Sequence, residues 1–415
     1  MGSRGSVRCR DMAHKLVRWG RGIGSSSGEK KKRWAALWGN GDYGRLGLGS
    51  LQSRWEPTLS LCSSPSSIAC GGAHTLLLTE QGRVLATGLN DYGQLGVPFG
   101  TRYTQEPVEV AGLPDDICQI FAGYYHSAAI SEKGVVYAWG NNFSGQLGLG
   151  KDAPKKVCIA NEVKPLNGLR IKMIALGSEH SLALTEDGEV LSWGLGENGR
   201  LGHGYESSMF RFLGVLSEYT PKLIKSLEMF KICRIAAGFT HSACIDVNGS
   251  VFAFGQGRMY QLGLGHTKDS SVPSHVKDLP FAHKVACGGY HTCVVTTNGD
   301  VYTWGSNENG CLGLGSHNLA PSPERVQGSL LPLHVSEISC GWKHTAVISG
   351  GNVFVWGWGG SQGTFSDDGL SSGGQLGLGN ELDYHEPTKI GFGEDVNVLQ
   401  ISCRFNHTGA IIEEK

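Results

Sequence analysis

The chain has 415 residues, 40% of them hydrophobic, with 63 glycines against 14 prolines and a net charge of −1. That composition supports a real core with many tight turns, and without a Gly-x-y period it excludes collagen as well as disorder over most of the length. No apolar run approaches the roughly 18 residues a membrane span requires.

Charge is unevenly placed. Residues 1–33 carry ten Lys or Arg and two acids, a balance of +8, whereas the remaining 26 basic and 35 acidic residues give −9. A mildly acidic body is unlike a nucleic-acid surface, where positive charge clusters. The first 33 residues are therefore read as a separate basic targeting segment, and residues 34–415 as the folded unit. In the stretch RDMAHKLVRWG, Met12, Leu16 and Trp19 share one helical face, while His14, Lys15 and Arg18 project from others. An Arg-rich, Ser-rich, acid-poor amphipathic start has the profile of an organellar transit peptide, with Asp11 as a departure. Other readings are a nuclear or nucleic-acid-binding tail at Lys30–Arg33, a myristoylation signal at Met1, Gly2 and Ser6, and a merely solvated tail. The expected address is the mitochondrial matrix, with the nucleus as the alternative.

From Arg33 onward the chain repeats. A G-x-x-H step occurs at Gly71–His74, Gly123–His126, Gly177–His180, Gly238–His241, Gly288–His291 and Gly341–His344, and a seventh copy, Arg404–His407, lacks its glycine. The histidines are 52, 54, 61, 50, 53 and 63 residues apart. A second signature, an aromatic-Gly step followed by L-G, recurs at Gly39, Gly88, Gly140, Gly194, Gly255, Gly305 and Gly357, with Thr87 in place of the aromatic before Gly88. Between the two lies a strand, a turn closing on glycine (Gly82, Gly134, Gly188, Gly249, Gly299, Gly351) and a second strand. A period near 50 residues, short strands and no amphipathic helix of ten residues predict propeller blades rather than a helical solenoid.

The ends agree. The first copy, RWAALWGNGDYGRLGLG, lacks the G-x-x-H half, and the last stops at HTGAIIEEK without its W-G strand. Each fragment is what the other is missing, so the expected fold is an all-β, seven-bladed β-propeller closed by pairing of N- and C-terminal strands. Closure also removes an exposed sheet edge.

These G-x-x-H-[ST] and W-G-x-x-x-x-G-x-L-G-x-G elements resemble the regulator-of-chromosome-condensation repeat family, from Arg33 to the C-terminus. Stretches such as KKRWAALWGNGDYGRLGLG, CGGYHTCVV and WGWGGSQGTFSDDGLSSGGQLG are similar to plant mitochondrial members. The resemblance implies a seven-bladed propeller that supports mitochondrial transcript splicing and respiratory complex I biogenesis. The alternative, implied by the founding activity of the family, is guanine-nucleotide exchange on a small GTPase or nuclear signalling.

Chemistry is sparse. A catalytic centre needs different groups converging on one point, whereas His74, His126, His180, His241, His291, His344 and His407 are equivalents spread by rotation, read as structural rings that bond backbone. No catalytic, cofactor or metal residues are assigned: there is no C-x-x-C and no phosphate-cradling G-x-x-x-x-G-K-[ST]. Cys70, Cys287, Cys340 and Cys403 share a repeat slot with Ala122, Leu176 and Ala237, which wants a small apolar group, and the thiols are expected to be reduced. Asp42, Asp91 and Asp152 read as turn formers. Trp342, in GWKHT, resembles a tryptophan element of a UV-B-sensing relative, but the equivalent slots hold Gly72, Tyr124, Ser178, Phe239, Gly289 and Phe405, so photoreception is not expected.

The spacings of 61 and 63 residues place insertions at about 203–228 and 358–374. Insertions in repeat proteins map to loops, often on the binding face. Met209, Phe210 and Phe212 in the first, and Trp358, Phe365 and Asp367 in the second, are the candidate partner-binding residues. The expected protein is a monomeric, non-enzymatic platform for protein partners, possible membership of an RNA-processing complex being left open as to direct RNA contact.

Overall fold

The computed structural model describes residues 31–98, 100–204, 217–330, 333–360 and 373–415. Among them the only helical pieces are three-residue 3-10 turns, and everything else regular is strand. Seven four-stranded antiparallel sheets stand around one axis, six of them built from four consecutive strands. Each is named here by its histidine. The seventh, the His407 blade, combines Val396–Cys403 and His407–Glu414 with Arg33–Gly39 and Arg54–Leu59 from the other end of the chain.

Closure is continuous over seven residues. Trp34 faces Ile412, Leu37 faces Gly409 and Gly39 faces His407, while Arg33 opposite Glu413 adds a 3.0 Å ion pair. Arg33 is thus both the last residue of the basic segment and the first of the closing strand.

Burial follows from blade stacking. The second strand of every blade is buried at its first six positions, as in His74–Thr79 and His126–Ser131, because neighbouring blades cover both of its faces. The outermost strand, such as Tyr103–Glu109, is largely open to solvent. Trp38, Trp139, Trp193, Trp304, Trp356 and Phe254 fill equivalent places between blades.

Two kinds of glycine do different work. The hairpin glycines adopt positive φ, for example 79° at Gly134, which an L side chain resists. The G-x-x-H glycines do not. There the histidine ring lies so close that a Cβ would fall on it, at Gly71, Gly123, Gly177, Gly238, Gly288 and Gly341 alike.

Candidate functional site

The seven histidines are buried and form one circle. Each Nε2 reaches the hydroxyl that follows the histidine of the next blade: His74–Ser127 2.9 Å, His126–Ser181 3.2 Å, His180–Ser242 3.0 Å, His241–Thr292 2.8 Å, His291–Thr345 3.0 Å, His344–Thr408 3.0 Å and His407–Thr75 2.9 Å. The expected backbone partner is therefore replaced by a side chain. Backbone enters one step later, since each hydroxyl donates to a loop carbonyl, as Ser127 does to Gln94 at 2.9 Å and Thr345 to Cys311 at 2.9 Å. Indole N–H groups converge on the same acceptors, Trp139 on Gln94 at 2.9 Å and Trp356 on Cys311 at 2.8 Å.

This relay fixes the tautomer. A hydroxyl whose proton goes to a carbonyl must accept from the histidine, so Nε2 carries the hydrogen and Nδ1 keeps a bare lone pair. Burial holds His74, His126, His241 and His344 down to about 3 from 6.5, and pushes His180 and His407 well below it. His291 is the exception, pushed up to about 10 by the Cys311 and Cys340 thiols beside it despite its burial. The six neutral rings, each tied to a hydroxyl of the next blade, are fasteners rather than acid–base catalysts.

The residue after each G-x-x-H glycine points toward the axis at one end of the propeller. Backbone bonds join these positions between blades, Tyr124 N–H to Gly177 O at 3.2 Å and Phe239 N–H to Gly288 O at 3.1 Å. The side chains build a half-exposed aromatic cap. Phe405 stacks on Trp342 (centroids 4.5 Å, 14° between planes) and meets Tyr124 edge-on at 5.2 Å, and Tyr124 meets Phe239 at 5.8 Å. Lys343 lies 5.1 Å above the Trp342 ring. The indole N–H of Trp342 is buried and has no hydrogen-bond partner among the described residues.

Arg404 stands beneath this cap. It occupies the glycine position of the seventh repeat and spans the axis to the His180 blade, donating to Leu176 O at 2.6 Å and Gly177 O at 3.0 Å. Burial lowers its guanidinium to about 10, and among the described residues the titratable groups that favour its charge are the Cys287 and Cys70 thiols, not a carboxylate. Arg404 separates a 30 Å³ cavity under the aromatics from a 290 Å³ axial channel lined by the first strands of the blades. The sequence registered this residue only as a lost glycine. A break in an otherwise strict repeat was the available signal.

Of the candidate loop residues, Met209, Phe210, Phe212, Phe365 and Asp367 lie outside the described residues. Trp358 is buried at 8% exposure and packs edge-on against Trp342 at 6.2 Å. It belongs to the support of the cap rather than to an open loop, because Trp358 N–H bonds Lys343 O at 2.8 Å and draws the start of the second insertion against the axis. Asp42 and Asn40 bond each other within a turn, and Asp91 lies 3.5 Å from Arg102. The eleven cysteines of the described residues are all free.

The RCC1-like domain matches residues 35–410. The ultraviolet-B receptor UVR8 of Arabidopsis thaliana is 33% identical over 383 residues, covering 91% of this chain and 70% of that protein. The mitochondrial RCC1 domain-containing protein RUG3 of the same plant is 33% identical over 254 residues, covering 59% of this chain and 54% of that protein. For HERC5 and HERC4, human E3 ligases, the chain spans only 20% and 27% of their length. Among solved structures, Prp20p of Saccharomyces cerevisiae superposes with a TM-score of 0.80 at 24% identity over 93% of both chains, a likeness of fold.

Proposed function

The chain belongs to the RCC1-like domain family, and from that premise we propose that it is a non-enzymatic interaction platform acting in mitochondria, where it supports transcript splicing and respiratory complex I biogenesis. The observation that carries the address is the similarity to a mitochondrial relative over 59% of the chain. The +8 balance of residues 1–33 supports it, because an inner-membrane potential, negative inside, drives cationic leaders inward at about 2.3 kcal/mol per charge per 100 mV. The contact surface is the aromatic cap. Half-exposed rings flanked by Lys343 have the composition of a protein-binding hot spot.

The test is twofold. Residues 1–33 fused to a fluorescent protein should enter mitochondria, and changing Arg8, Arg10 and Arg18 together to Glu should abolish import. The tagged full chain recovered from isolated mitochondria should bring down RNA-processing proteins. Nuclear fluorescence from the fusion would move the reading to the alternative, guanine-nucleotide exchange or nuclear signalling. That alternative draws on the Prp20p structure, whose description includes binding to Gsp1p and histones. An exchange assay against a panel of small GTPases decides it directly.

A further inference from the structure

Sevenfold repetition supplies six internal controls for any odd position. Two positions below each histidine, on the second strand of one blade, a side chain packs against the last residue of the first strand of the next blade. Members of the same buried clusters are Leu76 with Ala122, Ala128 with Leu176, Leu182 with Ala237, Ala243 with Cys287 and Ala346 with Cys403, while Cys293 lies beside Cys340 and Gly409 beside Cys70. No pair combines two large residues, as close packing demands. At six interfaces at most one partner is a cysteine. Between the His291 and His344 blades both are.

There the structure brings three soft donors together. A ring nitrogen of His291 and the sulfurs of Cys293 and Cys340 all lie within 4.8 Å of one another, and all three residues are buried. We propose that they form a binding site for a single thiophilic d10 cation, of the copper(I) or zinc class. Two sulfurs and an imidazole, with no oxygen donor among them, select the soft end of the metal series. Three donors complete a copper(I) site. Zinc would recruit a fourth, and Cys311, the additional thiol interacting with His291, is the sulfur at hand.

The surroundings fit such a site. The Nε2–H of His291 donates to Thr345, whose hydroxyl donates to Cys311 O, and among the described residues its Nδ1 has no partner, a feature all seven histidines share. An orienting contact on the far nitrogen is the usual outer shell of a metal-bound histidine. Cys340 also lines both the axial channel and the small cavity beneath the cap, which gives an ion a route of entry. Binding forms one metal–sulfur bond per cysteine and releases one proton to water for each thiolate formed.

The test uses the full chain, reduced and kept under nitrogen, titrated with copper(I) against a chromogenic copper(I) chelator and separately with zinc against a zinc indicator. One equivalent of at least one ion should bind per chain, with a sulfur shell at about 2.3 Å in X-ray absorption. Binding should be lost in Cys293→Ser and Cys340→Ser, retained in Cys287→Ala, and weakened about 10–100-fold in Thr345→Val. Melting curves establish that each variant folds. If a serine variant does not, protection of Cys293 and Cys340 from alkylation in the metal-treated wild type takes its place. Failure to take up either ion, loss that Cys287→Ala shares, or a Cys293–Cys340 disulfide in place of metal uptake would overturn the site.

Discussion

Two circles of seven residues lie two positions apart along the chain and behave in opposite ways. The histidine circle is uniform: every ring is buried, and every Nε2 reaches a hydroxyl of the next blade. The axial circle is Gly72, Tyr124, Ser178, Phe239, Gly289, Trp342 and Phe405, and no rotation maps it onto itself. Fastening seven equivalent joints calls for identical parts, whereas recognising an asymmetric partner calls for different ones. Uniformity marks the scaffold and departure marks the candidate site.

The largest effect should come from opening the circle. Deleting residues 33–40 removes the strand paired with His407–Glu414 and bares a sheet edge, so the product should aggregate or lose cooperative unfolding. A monomer with an unchanged melting temperature would mean that the terminal strands are dispensable.

Acid should act next, on the uniform circle alone. Rings held near 3 in the fold against 6.5 outside it take up protons in the unfolded chain first. Stability is therefore complete above about pH 6.5 and lost as pH falls toward about 3, each ring removing about 1.4 kcal/mol per pH unit. The urea midpoint should drop steeply between about pH 6.5 and 5. A flat profile there would show that the rings are not neutral fasteners.

Single substitutions sharpen the contrast. His180→Ala leaves the Ser242 hydroxyl without its donor and opens a buried cavity, and should cost about 2–4 kcal/mol in chemical denaturation. Arg404→Met, in the axial circle's support, should change stability by about 1 kcal/mol or less, because a buried guanidinium without a carboxylate carries a desolvation cost that methionine lacks. A loss as large as that of His180→Ala would make Arg404 a fastener too.

The smallest effect concerns light. Trp342 stacks on Phe405, a phenylalanine where a tryptophan array would need another indole, and among the described residues its one indole neighbour is Trp358. Trp342→Phe should leave the elution volume in gel filtration the same before and after UV-B exposure, as should the wild type. A light-dependent change in size in the wild type, absent from the variant, would reverse this.

What the sequence disclosed follows the same division. Periodic positions announce themselves, so the blades, the turn glycines and the closure between Arg33–Gly39 and His407–Glu414 were all readable from spacing. The partner of each histidine was not. The hydroxyl lies one blade away, roughly 50 residues on, and only the rotation of the propeller brings it within 3.2 Å or less. Trp358 misled because an insertion begins there, yet its indole turns inward onto Trp342. Arg404 was visible as a break in a pattern, but what a break faces is a matter of three dimensions, and nothing in the spacing set Cys293 apart.

The most direct measurement compares the two circles in one experiment. Tyr124→Ala with Phe405→Ala, and separately His180→Ala, would be introduced into the tagged chain, and each product followed by thermal unfolding and by the proteins it retains from isolated mitochondria. The account predicts that the axial pair melts within a few degrees of wild type and retains few of the wild-type partners, while His180→Ala melts far lower and, kept below its transition, retains them. Full partner retention by the axial pair at an unchanged melting temperature would contradict it.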